Sequence, residues 1–250
     1  MVDFKELYLG ILSKITDKPD SKNDISDNNL EEIEEKLGIT LPKALREYCL
    51  IESEGFINRE SDSDSEIDLI NPYFMGSHYD KILMEDLKEE LEEERKNVPI
   101  VLIIAEHCQG SCYWGIDVKK LKEEDPPILY YNPDKGEREW ERTGLKCSEF
   151  ICFMIYYLIS DGRGIFSAVI LNSIDKKLLN KIEDNYPLLY DHIDWKIYAK
   201  DGQVLKYDND FLWVSAKTET DKLEICKKLH LKWEKCKDDF GFDDLIILED

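Results

Sequence analysis

The chain has 250 residues, of which 42% are hydrophobic and 11% aromatic, a composition typical of a folded protein and not of a disordered one. Lys and Arg number 33 against 55 Asp and Glu, and the resulting net charge of −22 disfavours direct binding to nucleic acid phosphates. The longest apolar run, residues 150–159, is too short to cross a bilayer, so the sequence predicts no membrane partner.

The negative charge is unevenly distributed along the chain. Residues 1–160 hold 19 basic and 36 acidic side chains, whereas residues 161–250 hold 14 and 19. Six of these 19 acidic side chains, and none of the basic ones, lie in the last thirteen residues. A partner with a basic surface would be attracted to such a protein, although the charge also serves solubility alone.

Two features of the chain indicate a cytoplasmic location. The segment Met1–Glu6 lacks the basic and apolar regions of a signal peptide. The seven cysteines are an odd number, which favours reduced thiols over a disulfide framework.

Three amphipathic helices are predicted near the N-terminus, at 3–17, about 27–37 and 42–53. Gly38 is suited to end the second helix, because glycine adopts positive φ without a Cβ penalty. Pro42 is suited to the first turn of the third, where its missing N–H has no helical acceptor. The pattern predicts a tight helix-turn-helix joint.

The middle of the chain predicts a sheet closed by a buried helix. An acidic loop at 58–66 comes first, and Pro72 predicts a loop after the first strand. The remaining elements are strands at 67–70, 98–105, 112–118, 128–132 and 138–141, a Glu- and Lys-rich helix at 79–97, and an apolar helix at 147–160.

The C-terminal part predicts a small α+β extension. Asp201-Gly202 is a hairpin signal, and Thr218 with Asp221 resembles a capping box. The predicted elements are helices at 174–185 and 219–230 and strands at 195–199, 204–207, 211–216 and 231–233. We therefore divide the chain into domains 1–163 and 164–250.

The order of the motifs over residues 25–160 resembles the SUKH superfamily. The matching residues are Leu37, Gly38, Leu41, Pro42, Tyr48, Gly55, Pro99-Ile100, Gly110, Tyr113-Trp114-x-x-Asp117 and Ser148-x-Phe150. The hairpin His107-Cys108-Gln109-Gly110 departs from the acidic-Gly turn common in that superfamily.

The resemblance implies an α+β fold with a central mixed, largely antiparallel sheet flanked by helices. It also implies a non-enzymatic immunity protein that binds a polymorphic toxin, often a nuclease or deaminase. Superfamily members in fungi instead regulate cell-wall assembly, so a regulatory or housekeeping interaction protein is the alternative function.

Two groups of residues are candidates for partner binding. Asp62, Asp64 and Glu66 lie in the acidic loop, and loops carry binding function more often than core strands do. Aromatic residues cluster on the middle strands, where alternation turns about half of such side chains outward as anchors; they are Tyr113, Trp114, Tyr130, Tyr131 and Trp140. The candidates selected from this cluster are Tyr113, Trp114 and Trp140. A mobile linker and core packing are the respective alternatives.

One cluster contains soft metal ligands, namely His107, Cys108 and Cys112. It supplies three of the four ligands of a zinc site, which would suit a metal-dependent or thiol enzyme. Buried thiols beside a turn histidine explain the same residues more simply. We therefore expect no metal and no cofactor, and the sequence leaves the toxin, the bound surface and the oligomeric state open.

Overall fold

The computed structural model describes residues 2–15, 30–31, 34–35, 38–52, 67–75, 81–82, 99–107, 111–133, 139–160, 166–170, 174–192, 195–208, 211–235 and 244–248. The chain divides into two compact units, which are described separately below. Unit 1 comprises residues 1–6 and 20–151, and unit 2 comprises residues 7–19 and 152–250. The sequence predicts a boundary between a superfamily-like domain, residues 1–163, and a C-terminal extension, residues 164–250, and this boundary stays a prediction.

Five helices and thirteen strands are described. The helices are α1 (Phe4–Ile15), α2 (Lys43–Glu52), α3 (Cys147–Leu158), α4 (Lys176–Asn185) and α5 (Glu219–Leu229). The strands are β1 (Ile67–Met75), β2 (Lys81–Ile82), β3 (Val101–His107), β4 (Tyr113–Asp117), β5 (Pro127–Tyr131), β6 (Glu141–Lys146), β7 (Phe166–Ile170), β8 (Leu188–His192), β9 (Trp195–Lys200), β10 (Gln203–Asp208), β11 (Phe211–Ala216), β12 (Leu231–Lys235) and β13 (Asp244–Leu248).

Unit 1 is built on a six-stranded sheet with the order β2-β1-β3-β4-β5-β6, in which the described pairings are antiparallel. One face of the sheet packs on α3 through Trp114, whose ring lies 6.1 Å from that of Phe150. Helix α3 is apolar on nearly every side, and the side chains of Phe150 and Ile151 have no exposed surface. The predicted buried helix is therefore confirmed, and its first turn, through Phe150, contacts the sheet face opposite to the one discussed below.

The predicted joint before α2 is present. Of the helix predicted at about 27–37, residues 30–31 and 34–35 are described and are helical, and the chain leaves this helix with the geometry of a Schellman motif. Gly38 has φ +61°, and its N–H donates to the Glu35 carbonyl. The next N–H, that of Ile39, donates to the Glu34 carbonyl, which completes the hydrogen-bond pair of this helix end. Pro42 lies one residue before α2 and not in its first turn, and its carbonyl accepts from the N–H of Arg46.

The side chain of Glu34 also fixes this joint. Its Oε1 accepts a hydrogen bond from the Leu41 N–H at 2.8 Å and lies 3.8 Å from Nε of Arg46. Glu34→Ala removes both contacts, and we expect the free energy of unfolding to fall by about 1 kcal/mol. Glu35→Ala is the matched control, because it removes an equal charge from an exposed neighbouring side chain. Urea denaturation of both variants checks this, and equal losses would contradict the assigned role of Glu34.

Strand β1 is longer than the sequence predicts. It continues through Pro72, where a loop was expected, and its pairing with β3 shifts between Leu69 and Tyr73. The shift leaves the intervening residues, Pro72 among them, outside the paired positions. A bulge is the position within a sheet where the missing N–H of proline is tolerated.

The predicted helix at 79–97 is wrong at its start, because residues 81–82 pair with β1 as strand β2. The two residues form a short pairing that sequence periodicity does not detect. The rest of the predicted helix, at 83–97, lies outside the described residues.

Unit 2 contains a seven-stranded sheet with the order β12-β13-β7-β11-β10-β9-β8. One pair, β13 with β7, is parallel, so this sheet is mixed and largely antiparallel. Helices α4 and α5 cover one face with a core that includes Ile182 and Ile225. The capping box predicted at the start of α5 is confirmed, since Thr218 and Asp221 each accept a backbone N–H of the other.

A buried lysine lies in the sheet of unit 2. Lys206 on β10 has no exposed surface, and its Nζ lies 4.0 Å from the ring centroid of Tyr157 and 4.6 Å from that of Trp213. Cation–π contacts of this kind stabilise an ammonium group away from water. The amino group of Lys206 therefore lies in the interior of unit 2 and is not available to a partner.

Both units combine helices with largely antiparallel sheets, so the predicted α+β class is confirmed. The C-terminal part holds more strands than the sequence predicts, because β7, β8 and β13 were not expected. No helix within the described stretches has the length and apolar composition needed to cross a membrane.

Candidate protein-binding surface

Three aromatic side chains form a row on one face of the unit 1 sheet, and we call Tyr113, Tyr131 and Trp140 the aromatic row. The rings of Tyr113 and Tyr131 stack with centroids 6.3 Å apart and planes 19° apart. Tyr131 in turn lies 5.5 Å from Trp140. Both distances are typical of favourable aromatic pairs, so the three rings support one another.

Strand register places the aromatic row on the face opposite to α3. Tyr113 on β4 pairs directly with Tyr131 on β5, and directly opposed residues share a face. Beneath the row lie Val101 and Ile103, which are fully buried. Tyr113 and Trp140 pack on them and keep part of their own surface exposed. The face therefore has a dry inner layer and a partly accessible aromatic outer layer.

A carboxylate lies at the Tyr113 end of the row. Glu106 on β3 pairs directly with Tyr113, so their side chains share the same face. Burial raises the pKa of the Tyr113 hydroxyl, and the negative charge of Glu106 raises it further. Asp117 lies on the same face at the other end of β4, because it is four residues from Tyr113 along the strand. The aromatic row is thus accompanied by negative charge.

Trp114 takes no part in this surface, although the sequence made it a candidate anchor. It is the next residue along β4, so its side chain points to the opposite face, where it has no exposed surface. Its ring lies 5.4 Å from Tyr130 and packs on Phe150. Trp114 is a core residue, and two of the three predicted aromatic anchors remain candidates.

Two of the three candidate metal ligands, His107 and Cys112, lie within the described residues. The backbone N–H of His107 donates to the carbonyl of Cys112, which closes the end of the β3–β4 hairpin. The thiol of Cys112 is buried and lies 3.3 Å from the hydroxyl of Tyr130, and that hydroxyl accepts a hydrogen bond from the side-chain amide of Asn132. Cys108 lies outside the described residues. Among the residues that are described, no group of three His, Cys, Asp or Glu side chains is placed to hold a metal ion.

Another buried thiol, that of Cys147, is placed unfavourably for nucleophilic chemistry. Burial raises its pKa well above the usual value, and the nearby Asp125 and Cys49 raise it further. The neutral thiol is a weak nucleophile, because the thiolate is the reactive form. Cys147 is accordingly a packing residue at the start of α3.

The acidic-loop candidates Asp62, Asp64 and Glu66 lie outside the described residues, so their role in partner binding stays a prediction. Sequence reasoning missed Glu106 as a member of the surface, and it grouped Tyr131 with the middle-strand aromatic residues without selecting it as an anchor. The alternation of β3 and β5 contained part of the signal, but the pairing with Tyr113 was needed to place both residues on its face.

A comparison with protein-family models matches residues 24–152 to the SMI1 / KNR4 family (SUKH-1). The match spans just over half of the chain, and it includes the helix joint, the unit 1 sheet and the aromatic row. The protein belongs to the SMI1 / KNR4 family (SUKH-1), and the predicted superfamily resemblance is confirmed. Searches of curated proteins and of solved structures gave no match. Membership places the chain in a family of immunity and regulatory proteins that act on protein partners.

Proposed function

We propose that this protein is a non-enzymatic immunity protein that binds and neutralises a nucleic-acid-targeting toxin with a basic surface. Family membership provides the class, and the charge distribution supports the particular role. The matched segment, residues 24–152, holds 32 acidic and 15 basic side chains, so it carries a net charge of −17. This concentration of negative charge in the family segment is the observation on which the proposal rests.

The physical reason is complementarity with an enzyme that acts on nucleic acid. Such an enzyme must hold phosphates, so its active cleft is basic. A strongly acidic protein is steered to that cleft and competes with the substrate for it. Affinity then comes from a few anchors at the contact, for which partly exposed aromatic residues are well suited.

The alternative within the family is a regulatory protein that binds a resident cellular partner. The surface chemistry of the aromatic row serves either role, whereas the concentrated acidity favours a strongly basic partner. A thiol or metal-dependent enzyme receives less support, because the thiols of Cys112 and Cys147 are both buried and burial raises the pKa of Cys147.

The test begins with capture of partners from the source organism on tagged protein, followed by recombinant production of the stoichiometric partner. We expect a basic nuclease- or deaminase-like domain that forms a 1:1 complex and loses its activity when bound. We also expect its association rate constant to fall by at least about tenfold between 50 and 500 mM salt, because steering is screened. A resident partner without toxic activity would support the regulatory alternative, and an association rate independent of salt would contradict the electrostatic mechanism.

A further inference from the structure

We propose that the aromatic row and Glu106 form a receptor for a basic side chain of the toxin, an arginine or a lysine. This inference rests on the proposed function and adds the chemical group that is recognised and the residues that recognise it. The complete site would consist of Tyr113, Tyr131, Trp140 and Glu106.

The rings provide the first half of such a receptor. The face of an aromatic ring carries partial negative charge, and it attracts an ammonium or guanidinium group within about 6 Å, most strongly for Trp. Tyr113 and Trp140 are both partly exposed, while Tyr131 between them is buried and braces them. Arginine is the better fit, because its planar guanidinium stacks on aromatic faces as well as pairing with a carboxylate.

The carboxylates provide the second half. Glu106 is directly opposite Tyr113, and Asp117 lies on the same face. Glu139, the residue before Trp140, is exposed. A cation that stacks on Tyr113 is therefore close to the carboxylate of Glu106, while Arg142, directly opposite Leu129, places one exposed positive charge on the same face.

Charge also distinguishes a basic partner from a second copy of this chain. Each copy carries −22 overall, so two copies repel one another as they approach. A basic toxin is instead attracted to this protein as it approaches. The observations favour a cationic side chain on another protein as the occupant of this surface.

The experiment is an NMR titration of the full chain with the peptide acetyl-Gly-Arg-Gly-amide as the probe. The five tryptophans give separate indole N–H signals, and Trp140→Phe assigns that of Trp140. We expect a saturable shift of this signal with the arginine peptide. The same peptide with citrulline, a neutral analogue of arginine, is expected to bind about tenfold more weakly or not at all.

Glu106→Gln tests the carboxylate, and Glu123→Gln is its matched control. Glu123 is exposed and lies beyond the opposite end of β4, where it pairs with Lys120. Replacing either glutamate by glutamine removes one negative charge, so the two variants have the same net charge. We expect E106Q to raise the dissociation constant of the arginine peptide by about five- to tenfold, and E123Q to leave it within about twofold.

Four results of the titration would overturn the proposal. They are the absence of a saturable Trp140 shift, an equal response to the citrulline peptide, an equal effect of E106Q and E123Q, and a Trp140 shift that depends on protein concentration alone. The last would indicate a second copy at this surface.

The toxin assay separates this proposal from the proposed function. If E106Q neutralises the toxin with unchanged affinity, the receptor proposal is wrong and the proposed immunity function still stands. If the arginine peptide binds at the aromatic row but the protein neutralises no toxin, the receptor for a basic side chain is supported and the proposed immunity function is wrong.

Discussion

Gly115→Ala is expected to lower the free energy of unfolding by about 3 kcal/mol, because the added methyl group has no space. A Cβ at this position would lie 2.4 Å from Cγ1 of Val101 and 2.5 Å from the backbone oxygen of Leu102. The oxygen belongs to the neighbouring strand and cannot move without disturbing the β3–β4 ladder. The register of that ladder also shifts between Ile103 and Ala105, beside the position that Gly115 occupies. Glycine at this position therefore allows the two central strands to approach.

Gly10→Ala is the control for this prediction. Gly10 lies within α1, and a Cβ there would meet no atom within 4 Å. Alanine is the better helix former, so this variant is expected to be as stable as the original chain or more stable by up to about 1 kcal/mol. Thermal and urea denaturation of the two variants provide the comparison. Equal stability of G115A and the original chain would contradict the close approach of β3 and β4.

The sequence predicts best those elements that local signals specify. The helix end at Gly38 and the capping box at Thr218 are both determined by residues within a few positions, and both are present. The apolar runs of α3 and of β11 were also predicted, since burial of a continuous apolar segment is visible in the sequence alone. In each case the physical cause lies within the segment itself.

The elements that were missed depend on distant pairing. Strand β7 lies between β11 and β13, which follow it by more than 40 and more than 70 residues. Strand β13 lies in the acidic tail, where the surrounding charge hides a short apolar run. Pro72 was interpreted as ending a strand, because the bulge that accommodates it is created by the partner strand. Non-local pairing leaves little trace in a single sequence.

The candidate surface shows the same limit at the level of single residues. Adjacent residues Tyr113 and Trp114 had equal claims as anchors in the sequence, since alternation separates their faces without saying which face is buried. The position of α3 decides the question, because it buries Trp114. Glu106 became a candidate only when its register against Tyr113 was known. Residue types were thus predictable, whereas their grouping on one face was not.

Asp125→Ala is expected to lower the free energy of unfolding by about 2–3 kcal/mol, because Asp125 caps α3 from outside the helix. Its Oδ1 accepts the backbone N–H of Ser148 at 2.8 Å, and its Oδ2 accepts the hydroxyl of the same residue at 2.7 Å. The residue before α3 is Lys146, whose side chain cannot accept a hydrogen bond. Glu149 accepts the Lys146 N–H, so α3 has half of a capping box and Asp125 supplies the missing acceptor.

The segment around Asp125 serves two helices at once. The backbone carbonyl of Glu124 accepts the N–H of Ala44 in the first turn of α2, and that of Pro126 accepts the N–H of Cys147. Removal of the Asp125 carboxylate therefore affects the segment that fixes the starts of both α2 and α3.

Glu124→Ala is the matched control for Asp125→Ala. Its carboxylate is exposed and its backbone carbonyl remains in the variant, so the change in charge is the same while the bond to Ala44 is retained. Urea denaturation should show a loss for D125A that is at least about 1.5 kcal/mol larger than that for E124A. Hydrogen exchange should then locate the loss, with faster exchange of the Ser148 amide in D125A alone. Equal stability of the two variants would mean that water replaces the carboxylate at this helix end, and that Ser148 is held by the packing of α3 and not by its cap.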